Sequence, residues 1–230
     1  MTTVEPSQQS AAKVAGFLYL VTMATSIFAY AFVRGRLIVA RDAVQTARNI
    51  IASEGLFRVG IVVDLLTIVG VIVLFWGLYV ALKPVNPRIA LLAAFFRLAE
   101  NIVIAASVMV NFAVLALLTR ADYMSVFGLQ QSSALAYALI RVLDSGFKIG
   151  FVFLGIGSTL FSWLWLKSGY VPRAIALWGI FSSSLLTLGT LAGMLYPALG
   201  AVVGLFYMVP MFFYEVGLGL WLLIKGLKAS

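Results

Sequence analysis

The stretch Tyr137–Lys148, YALIRVLDSGFK, places three charged side chains inside a hydrophobic segment of the chain. Its polar positions are Tyr137, Arg141, Asp144 and Lys148, and they are followed toward the C-terminus by Gly155, Thr159 and Ser162. Spacings of four, three and four residues align the first four positions along one face of an α-helix. Because charges are costly against hydrocarbon, the pattern predicts that this face meets protein and not lipid.

The composition of the chain is that of a membrane protein. Of its 230 residues, 63% are hydrophobic and 10% are charged, and the mean hydropathy is +1.09. A helix needs about 20 apolar residues to cross the hydrocarbon core, and the chain has six such runs. The sequence therefore predicts one all-α transmembrane domain over residues 1–230, a bundle of six helices with two short interfacial helices on the outer side. The predicted spans are 14–33, 59–82, 89–118, 132–166, 174–196 and 199–224.

Cysteine and histidine are both absent from the sequence. Their absence excludes disulfides, thiolate or imidazole metal sites, histidine-ligated haem and nucleophiles activated by histidine. The chemistry that remains is that of carboxylates, amines, hydroxyls and the backbone. We therefore expect neither a cofactor nor a metal ion.

The net charge of +8 is carried by the termini and loops, which hold twelve basic and four acidic residues. The predicted spans and their edges hold four basic and four acidic residues, so their charge sums to zero. A basic excess beside hydrophobic spans is typical of segments that flank a bilayer. No basic patch is interleaved with aromatic residues on a soluble surface, so we expect membrane lipids as partners and no nucleic acid.

Two segments outside the spans are predicted to form short helices at the membrane surface. In the first, Asp42 precedes Gln45 by three residues, a variant of the capping box that begins a helix. Its apolar positions Ala43, Ala47, Ile50 and Ile51 recur on one face. The second segment, 119–131, carries Tyr123, Met124 and Phe127. The first helix either covers the bundle as an amphipathic lid or binds a partner.

The charges inside the spans are expected to pair according to their depth. Asp64 lies 19 residues from Lys83, and Lys148 lies 19 residues from Lys167. Each interval is about 28 Å of helix at about 1.5 Å per residue. Equal depth predicts that Asp64 pairs with Lys148.

A second group of charges is expected nearer the middle of the bilayer. Arg97 and Glu100 lie three residues apart on one face of span 3, and the same count of depth brings Glu215 of span 6 beside them. Tyr207 shares the face of Glu215 on a continuous helix, and Pro210 is expected to kink that helix. This arrangement predicts a pairing of Arg97 with Glu215.

Several motifs in combination resemble one bacterial family. They are Ala52–Gly60 (ASEGLFRVG) running on to Asp64, Lys83–Asn86 (KPVN), Phe96–Leu98 (FRL), Ser168–Arg173 (SGYVPR) and Leu220–Gly226 (LWLLIKG). The family is the one catalogued as domain of unknown function 4386, and the resemblance covers nearly the whole chain. It implies a six-helix protein of the bacterial inner membrane and no particular activity.

The basic residues of the short loops favour a cytoplasmic location for both termini. Seven basic residues with Glu5 fall on the side of the termini, against five basic residues with Asp42, Glu54 and Asp122 on the other side. Basic loops stay in the cytoplasm in most membrane proteins. We therefore expect a multi-pass protein of the bacterial inner membrane with both termini inside.

Three classes of function remain open. In the first, a charged cavity within the membrane binds or transports a lipid or small amphiphile, and transport would use a homodimer packed through Gly189 and Gly193. In the second, the protein is a structural or accessory membrane protein whose buried charges only fix helix packing. In the third, it is an enzyme, suggested only weakly by Asp144-Ser-Gly with Asp64 as a second acid. The candidate residues are Asp64, Arg97, Glu100, Tyr137, Arg141, Asp144, Lys148, Tyr207 and Glu215.

Overall fold

A computed structural model of the chain describes residues 4–196, 198 and 206–228. This part of the chain is helical, and no strand occurs within it. Six of its helices are long and apolar enough to cross a membrane. The predicted all-α class and the number of spans are therefore confirmed.

Among the residues that the structure describes, seven helices follow one another along the chain. They are α1 (Pro6–Leu37), α2 (Ala43–Ala52), α3 (Glu54–Leu82), α4 (Pro87–Thr119), α5 (Ala121–Ser168), α6 (Arg173–Leu195) and α7 (Val209–Ile224). All except α2 have the length and composition of a membrane span, if the 3₁₀ turn Phe206–Met208 is counted with α7. Most helices are longer than the predicted spans, because they continue beyond the apolar runs from which the spans were predicted. The predicted start of the sixth span, Leu199, lies outside the described residues.

Helix α2 begins as the sequence predicts, because the Asp42 side chain accepts a hydrogen bond of 2.8 Å from the backbone N–H of Gln45. The reciprocal half of the capping box does not form, since the side-chain amide of Gln45 donates to Asn49. The buried face carries Thr46 and Ile50, whereas Ile51, predicted to be on that face, is exposed. The location of α2 at a membrane surface remains a prediction.

Helix α5 is interrupted at Gly128, where φ is 66° and ψ is 171°. This backbone conformation is open essentially to glycine alone. The interruption separates a short helical segment that carries Tyr123 and Phe127 from the long helix that follows. The long helix extends a few residues beyond the predicted span 4 at each end, since it runs from the residue after Gly128 to Ser168.

Pro210 does not kink the interior of a helix. It lies in the first turn of α7, directly after the 3₁₀ turn Phe206–Met208. The first turn has no intrahelical acceptor for the N–H that proline lacks, so proline is tolerated there. The predicted kink is therefore not seen among the described residues, since residues 199–205 of the predicted span lie outside them, and Pro210 lies in the first turn of a helix that begins at Val209.

The chain divides into two compact units. The first contains Met1–Met23, Gly70–Ile102 and Lys148–Ser230. Its core includes the fully buried side chains of Trp165, Tyr214, Leu218 and Leu222. Within this unit, Gly16 of α1 packs against Gly219 of α7, so closely that a Cβ on Gly16 would lie 2.8 Å from the carbonyl oxygen of Gly219. Such small-residue contacts let membrane helices approach each other.

The termini and two helical hairpins meet at one end of the first unit. The Gln8 side chain donates to the carbonyl of Ala81, which precedes the hairpin 83–88. The Gln9 side chain accepts from the backbone N–H of Leu227, and the N–H of Lys228 donates to the carbonyl of Tyr170 in the hairpin 168–173. The N-terminal and C-terminal basic residues and those of both hairpins therefore share one end of this unit.

The second unit contains Ala24–Val69 and Val103–Phe147. Its core joins Ile50 of α2 to four longer helices, through Leu37 of α1, Phe57 of α3, Val114 of α4 and Ile140 of α5. Thr46 anchors α2 by hydrogen bonds to the backbone of Val39 and Asp42. Helix α2 is thus a packed part of this unit.

Gly189 also packs inside the chain. A Cβ at this position would lie 2.9 Å from the Tyr207 ring, so the glycine accommodates that aromatic side chain. Gly189 therefore packs against an aromatic side chain of its own chain. A homodimer packed through Gly189 and Gly193 remains a proposal.

Candidate functional site

Arg34 and Asp64 form a salt bridge within the second unit, with 2.5 Å between the guanidinium and the carboxylate. Arg34 ends a stretch of π-helix, Phe28–Arg34, in which the turns are wider than those of an α-helix. Both side chains are largely buried, at 19% and 11% exposure. The pair therefore joins α1 to α3.

This salt bridge corrects the predicted partner of Asp64. The sequence predicted Lys148, on the assumption that the first helix ends at Val33 and that Arg34 lies in a loop. Helix α1 instead continues to Leu37, which brings the Arg34 guanidinium to the carboxylate. Arg34 was not among the candidate residues. Its only signal in the sequence is its position as the first charged residue after the apolar run 14–33.

A small cavity lies beside the Arg34–Asp64 pair. Its volume is about 20 Å³, which is enough for about one water molecule. It is lined by the two charged residues, by Asn111, and by apolar side chains that include Val33, Phe57 and Leu143. Pockets that hold drug-sized ligands measure roughly 300 to 1,000 Å³, so this cavity is too small for a lipid or amphiphile.

The charged face of α5 is defined by Tyr137, Arg141, Asp144 and Lys148, and its three charged side chains are exposed or partly exposed. Arg141 and Asp144 form a salt bridge of 2.9 Å and remain 63% and 38% exposed. Lys148 is exposed as well, and no ion pair joins it to another described residue. Arg141 and Lys148 are therefore not packed against other helices of the same chain, and the predicted contact of this face with protein remains a prediction.

Tyr137 occupies a different environment from the charges that follow it. Its hydroxyl accepts a hydrogen bond of 2.8 Å from the backbone N–H of Arg41. Arg41 has φ of 65°, an unusual conformation for a residue with a side chain. Tyr137 thus holds the turn that leads into α2, which is a structural role.

Arg97 and Glu100 form a buried ion pair in α4 of the first unit. The guanidinium and carboxylate lie 2.8 Å apart, and the two side chains are 5% and 6% exposed. The contact is poorly directed for a hydrogen bond, since Nη1 of Arg97 and Oε2 of Glu100 have no hydrogen-bond partner among the described residues. Arg97 and Glu100 thus share one face of α4 as their spacing predicted, but the salt bridge of Arg97 is made to Glu100, whereas the sequence predicted Glu215.

Glu215 lies in the electrostatic neighbourhood of Arg97, as predicted from depth. The salt bridge of Arg97 is nevertheless made to Glu100, and no salt bridge or hydrogen bond joins Glu215 to a described residue. Two tyrosines accompany this cluster, Tyr19 of α1 and Tyr214 of α7. Both tyrosine side chains are buried.

Tyr214 is the tyrosine of α7 that the sequence did not identify as a candidate. Its hydroxyl shares a hydrogen bond of 2.8 Å with that of Ser162 in α5. Tyr207, which the sequence did identify, packs on Gly189 from the 3₁₀ turn before α7. The spacing of Met211, Tyr214 and Leu218, three and four residues apart, is the signal of a buried stripe that could have revealed Tyr214.

The carboxylates of Asp64 and Asp144 each have an arginine of their own, Arg34 and Arg141. A pair of catalytic acids needs two carboxyl groups that share a proton or a water molecule. Neither of these two aspartates faces another carboxyl group in the described contacts. Within the described residues, no group of three or more acidic side chains is placed to hold a metal ion.

Comparison with known proteins identifies the family. Residues 14–226 match the family described as domain of unknown function (DUF4386). No curated protein and no solved structure matches the chain with significant similarity. The family match covers most of the chain and agrees with the six membrane-length helices. The chain therefore belongs to the family described as domain of unknown function 4386, and its helices are those of a multi-pass membrane protein.

Proposed function

We propose that the protein binds an anionic lipid or small anionic amphiphile on the charged face of α5. The observation that carries the proposal is the exposed Lys148, which has no ionic partner among the described residues. Asp144 balances Arg141, so this face keeps a net charge of +1. A ligand with a negative head group would neutralise it.

The position of these cations along α5 suits a phosphate at the membrane surface. Lys148 lies 19 residues before Lys167, or about 28 Å of helix, which is close to the thickness of the hydrocarbon core. Arg141 lies seven residues further, about 10 Å beyond. Both cations are therefore expected at the depth of lipid head groups, where long basic side chains extend along the helix toward phosphate.

Exposed apolar side chains beside the cations provide a surface against which the apolar body of the ligand can pack. Val142 is 57% exposed and Ile149 is 46% exposed, each next in sequence to a cation. Because the cavity near Asp64 holds only about one water molecule, we place the ligand on the lipid-facing surface of α5. Amphiphiles bind such surfaces through their charged heads and apolar bodies together.

An alternative function is that of a structural or accessory membrane protein. The pairing of Arg34 with Asp64 and of Arg97 with Glu100 favours it, because these charges already have partners within the chain. Buried ion pairs of this kind fix helix register without any ligand. This function predicts that the protein retains no particular lipid.

We propose further that both termini lie in the cytoplasm of a bacterial inner membrane. The contacts of Gln8, Gln9 and Lys228 support this orientation, because they gather the basic termini and hairpins at one end of the first unit. Arg34 forms a salt bridge with Asp64, so it does not count among the basic loop residues on the opposite side of the membrane. Basic loop residues are retained in the cytoplasm.

Native mass spectrometry of the gently extracted protein tests the lipid proposal. The variant that combines Arg141→Ala with Lys148→Ala should lose anionic lipids that the wild type retains. Arg58→Ala is the matched control, because Arg58 is another exposed arginine paired within its own helix, to Glu54. Identical bound lipids in the wild type and the folded double variant would favour the accessory function.

A further inference from the structure

We propose that the small cavity beside Arg34 and Asp64 is a binding site for one internal water molecule, which Asn111 of α4 holds against the salt bridge. The residues that line the cavity all belong to the second unit. Lipid binding is proposed for a different surface, the one that carries Arg141 and Lys148, so the two sites can be tested separately.

Asn111 is a buried polar residue that the salt bridge does not use. It is 7% exposed and lines the cavity, and its side chain makes no hydrogen bond to another described residue. A side-chain amide can donate two hydrogen bonds and can also accept them. Buried polar groups in folded proteins are nearly always paired with protein or with ordered water. A water molecule in the cavity supplies this pairing.

The salt bridge provides the other hydrogen-bonding groups that a water molecule needs. Nη2 of Arg34 contacts Oδ2 of Asp64, so Oδ1 of the carboxylate stays available as an acceptor and the guanidinium keeps further N–H donors. With Asn111, the cavity has three polar side chains in its lining. Buried water molecules typically make about three hydrogen bonds. The water therefore links the ion pair between α1 and α3 to α4.

The size and charge of the cavity favour water over an ion or an organic ligand. Its volume of about 20 Å³ exceeds the roughly 10 to 15 Å³ that one water molecule requires, and it leaves no room for a larger molecule. Arg34 and Asp64 carry opposite charges, so the pair has no net charge with which to attract an ion. Apolar cavities stay dry, whereas polar cavities of sufficient size hold water.

The wide π-helical turns of α1 form one wall of the cavity, through Ala29 and Val33. Beside the cavity α1 and α3 pack closely, because a Cβ on Gly60 would lie 2.7 Å from Cγ1 of Val33. Single π-helical turns within α-helices are frequent at functional sites. The cavity is therefore a local feature of the π-helical stretch and not a general looseness between these helices.

Hydroxyl-radical labelling of the whole protein in lipid nanodiscs tests for the bound water. Radiolysis of a bound water molecule produces a hydroxyl radical that oxidises the side chains next to it, including buried ones. Phe57 lines the cavity and is 6% exposed, and it should be oxidised in the wild type. Phe75 is the internal control, since it is 8% exposed, lies in the core of the first unit and does not line this cavity. It should stay at background.

Asn111→Leu removes the amide and keeps a branched side chain of similar shape. This variant should lower the oxidation of Phe57 to the level of Phe75. Thr190→Val is the matched control, because Thr190 is a buried polar residue of the first unit whose hydroxyl lacks a hydrogen-bond partner among the described residues. The control variant should leave the oxidation of Phe57 unchanged.

Three outcomes would overturn the water site. Equal oxidation of Phe57 and Phe75 in the wild type does so without any variant, and therefore also if Asn111→Leu does not fold. The other two are undiminished oxidation of Phe57 in folded Asn111→Leu, and an equal loss of this oxidation in Thr190→Val.

Discussion

Nη2 of Arg34 in α1 lies 2.5 Å from Oδ2 of Asp64 in α3, and the π-helical stretch Phe28–Arg34 ends at this arginine. The pair is the only salt bridge between different helices among the described residues, because the others join residues two to four positions apart in sequence. It therefore connects α1 to α3, whereas each of the other pairs connects residues close together in sequence.

The Arg34–Asp64 pair should show strong coupling in a double-mutant cycle. Asp64→Asn or Arg34→Met alone leaves a largely buried charge without its partner, which typically costs about 3 kcal/mol or more when burial is complete. The double variant should recover part of this loss, and thermal unfolding in detergent measures all four proteins.

The exposed pair of Glu54 and Arg58 is the control for this cycle. Exposed i, i+4 pairs contribute only about 0.3 to 0.5 kcal/mol, so their cycle should show little coupling. If the losses of Arg34→Met and Asp64→Asn simply add, the two residues do not stabilise each other.

Sequence reasoning succeeded where the signal was local. The Asp42 cap and the Arg97–Glu100 spacing each depend on residues within one turn of each other. Such short-range geometry follows from the helix repeat alone. The number of spans could also be predicted from the sequence, because each span is a continuous apolar run.

Contacts between helices were less predictable. Depth counting gave the right neighbourhood for Arg97 and Glu215, but it says nothing about how each helix is rotated about its axis. The partner of Asp64 was missed for a second reason, since a π-helical stretch carries α1 past the end of its apolar run. Nothing in the spacing of Phe28–Arg34 identifies those wider turns.

Gly179 should be sensitive to the smallest enlargement. A Cβ there would lie 2.6 Å from Cζ of Tyr214 and 2.5 Å from Oγ of Ser162, so Gly179→Ala forces apart the hydroxyl pair between α5 and α7. Overpacking of this kind costs about 1 to 3 kcal/mol, which thermal unfolding would detect.

Gly217 of α7 provides the comparison, because a Cβ at this position meets nothing within 4 Å. Gly217→Ala should be neutral or stabilising by up to about 1 kcal/mol, since alanine favours the helix. Equal destabilisation by both substitutions would contradict the close packing at Gly179.

The orientation of the protein can be tested by labelling single cysteines, because the natural chain has none. Asn86→Cys lies in the hairpin that shares its end of the first unit with the termini, and Gln130→Cys lies three spans from the N-terminus along the chain. We expect a membrane-impermeant maleimide to label Gln130→Cys in intact cells and Asn86→Cys only after lysis. Labelling of Asn86→Cys from outside would overturn the proposed orientation.

The central claim is that the charged face of α5 binds anionic lipid, and thermal stabilisation by added lipid measures this binding most directly. A ligand that binds only the folded state raises the melting temperature with its concentration. In mild detergent, phosphatidylglycerol should raise the melting temperature of the wild type and of Arg58→Ala more than phosphatidylcholine does. The combined Arg141→Ala and Lys148→Ala variant should respond equally to both lipids. A preference for phosphatidylglycerol that persists undiminished in this folded variant would contradict the claim.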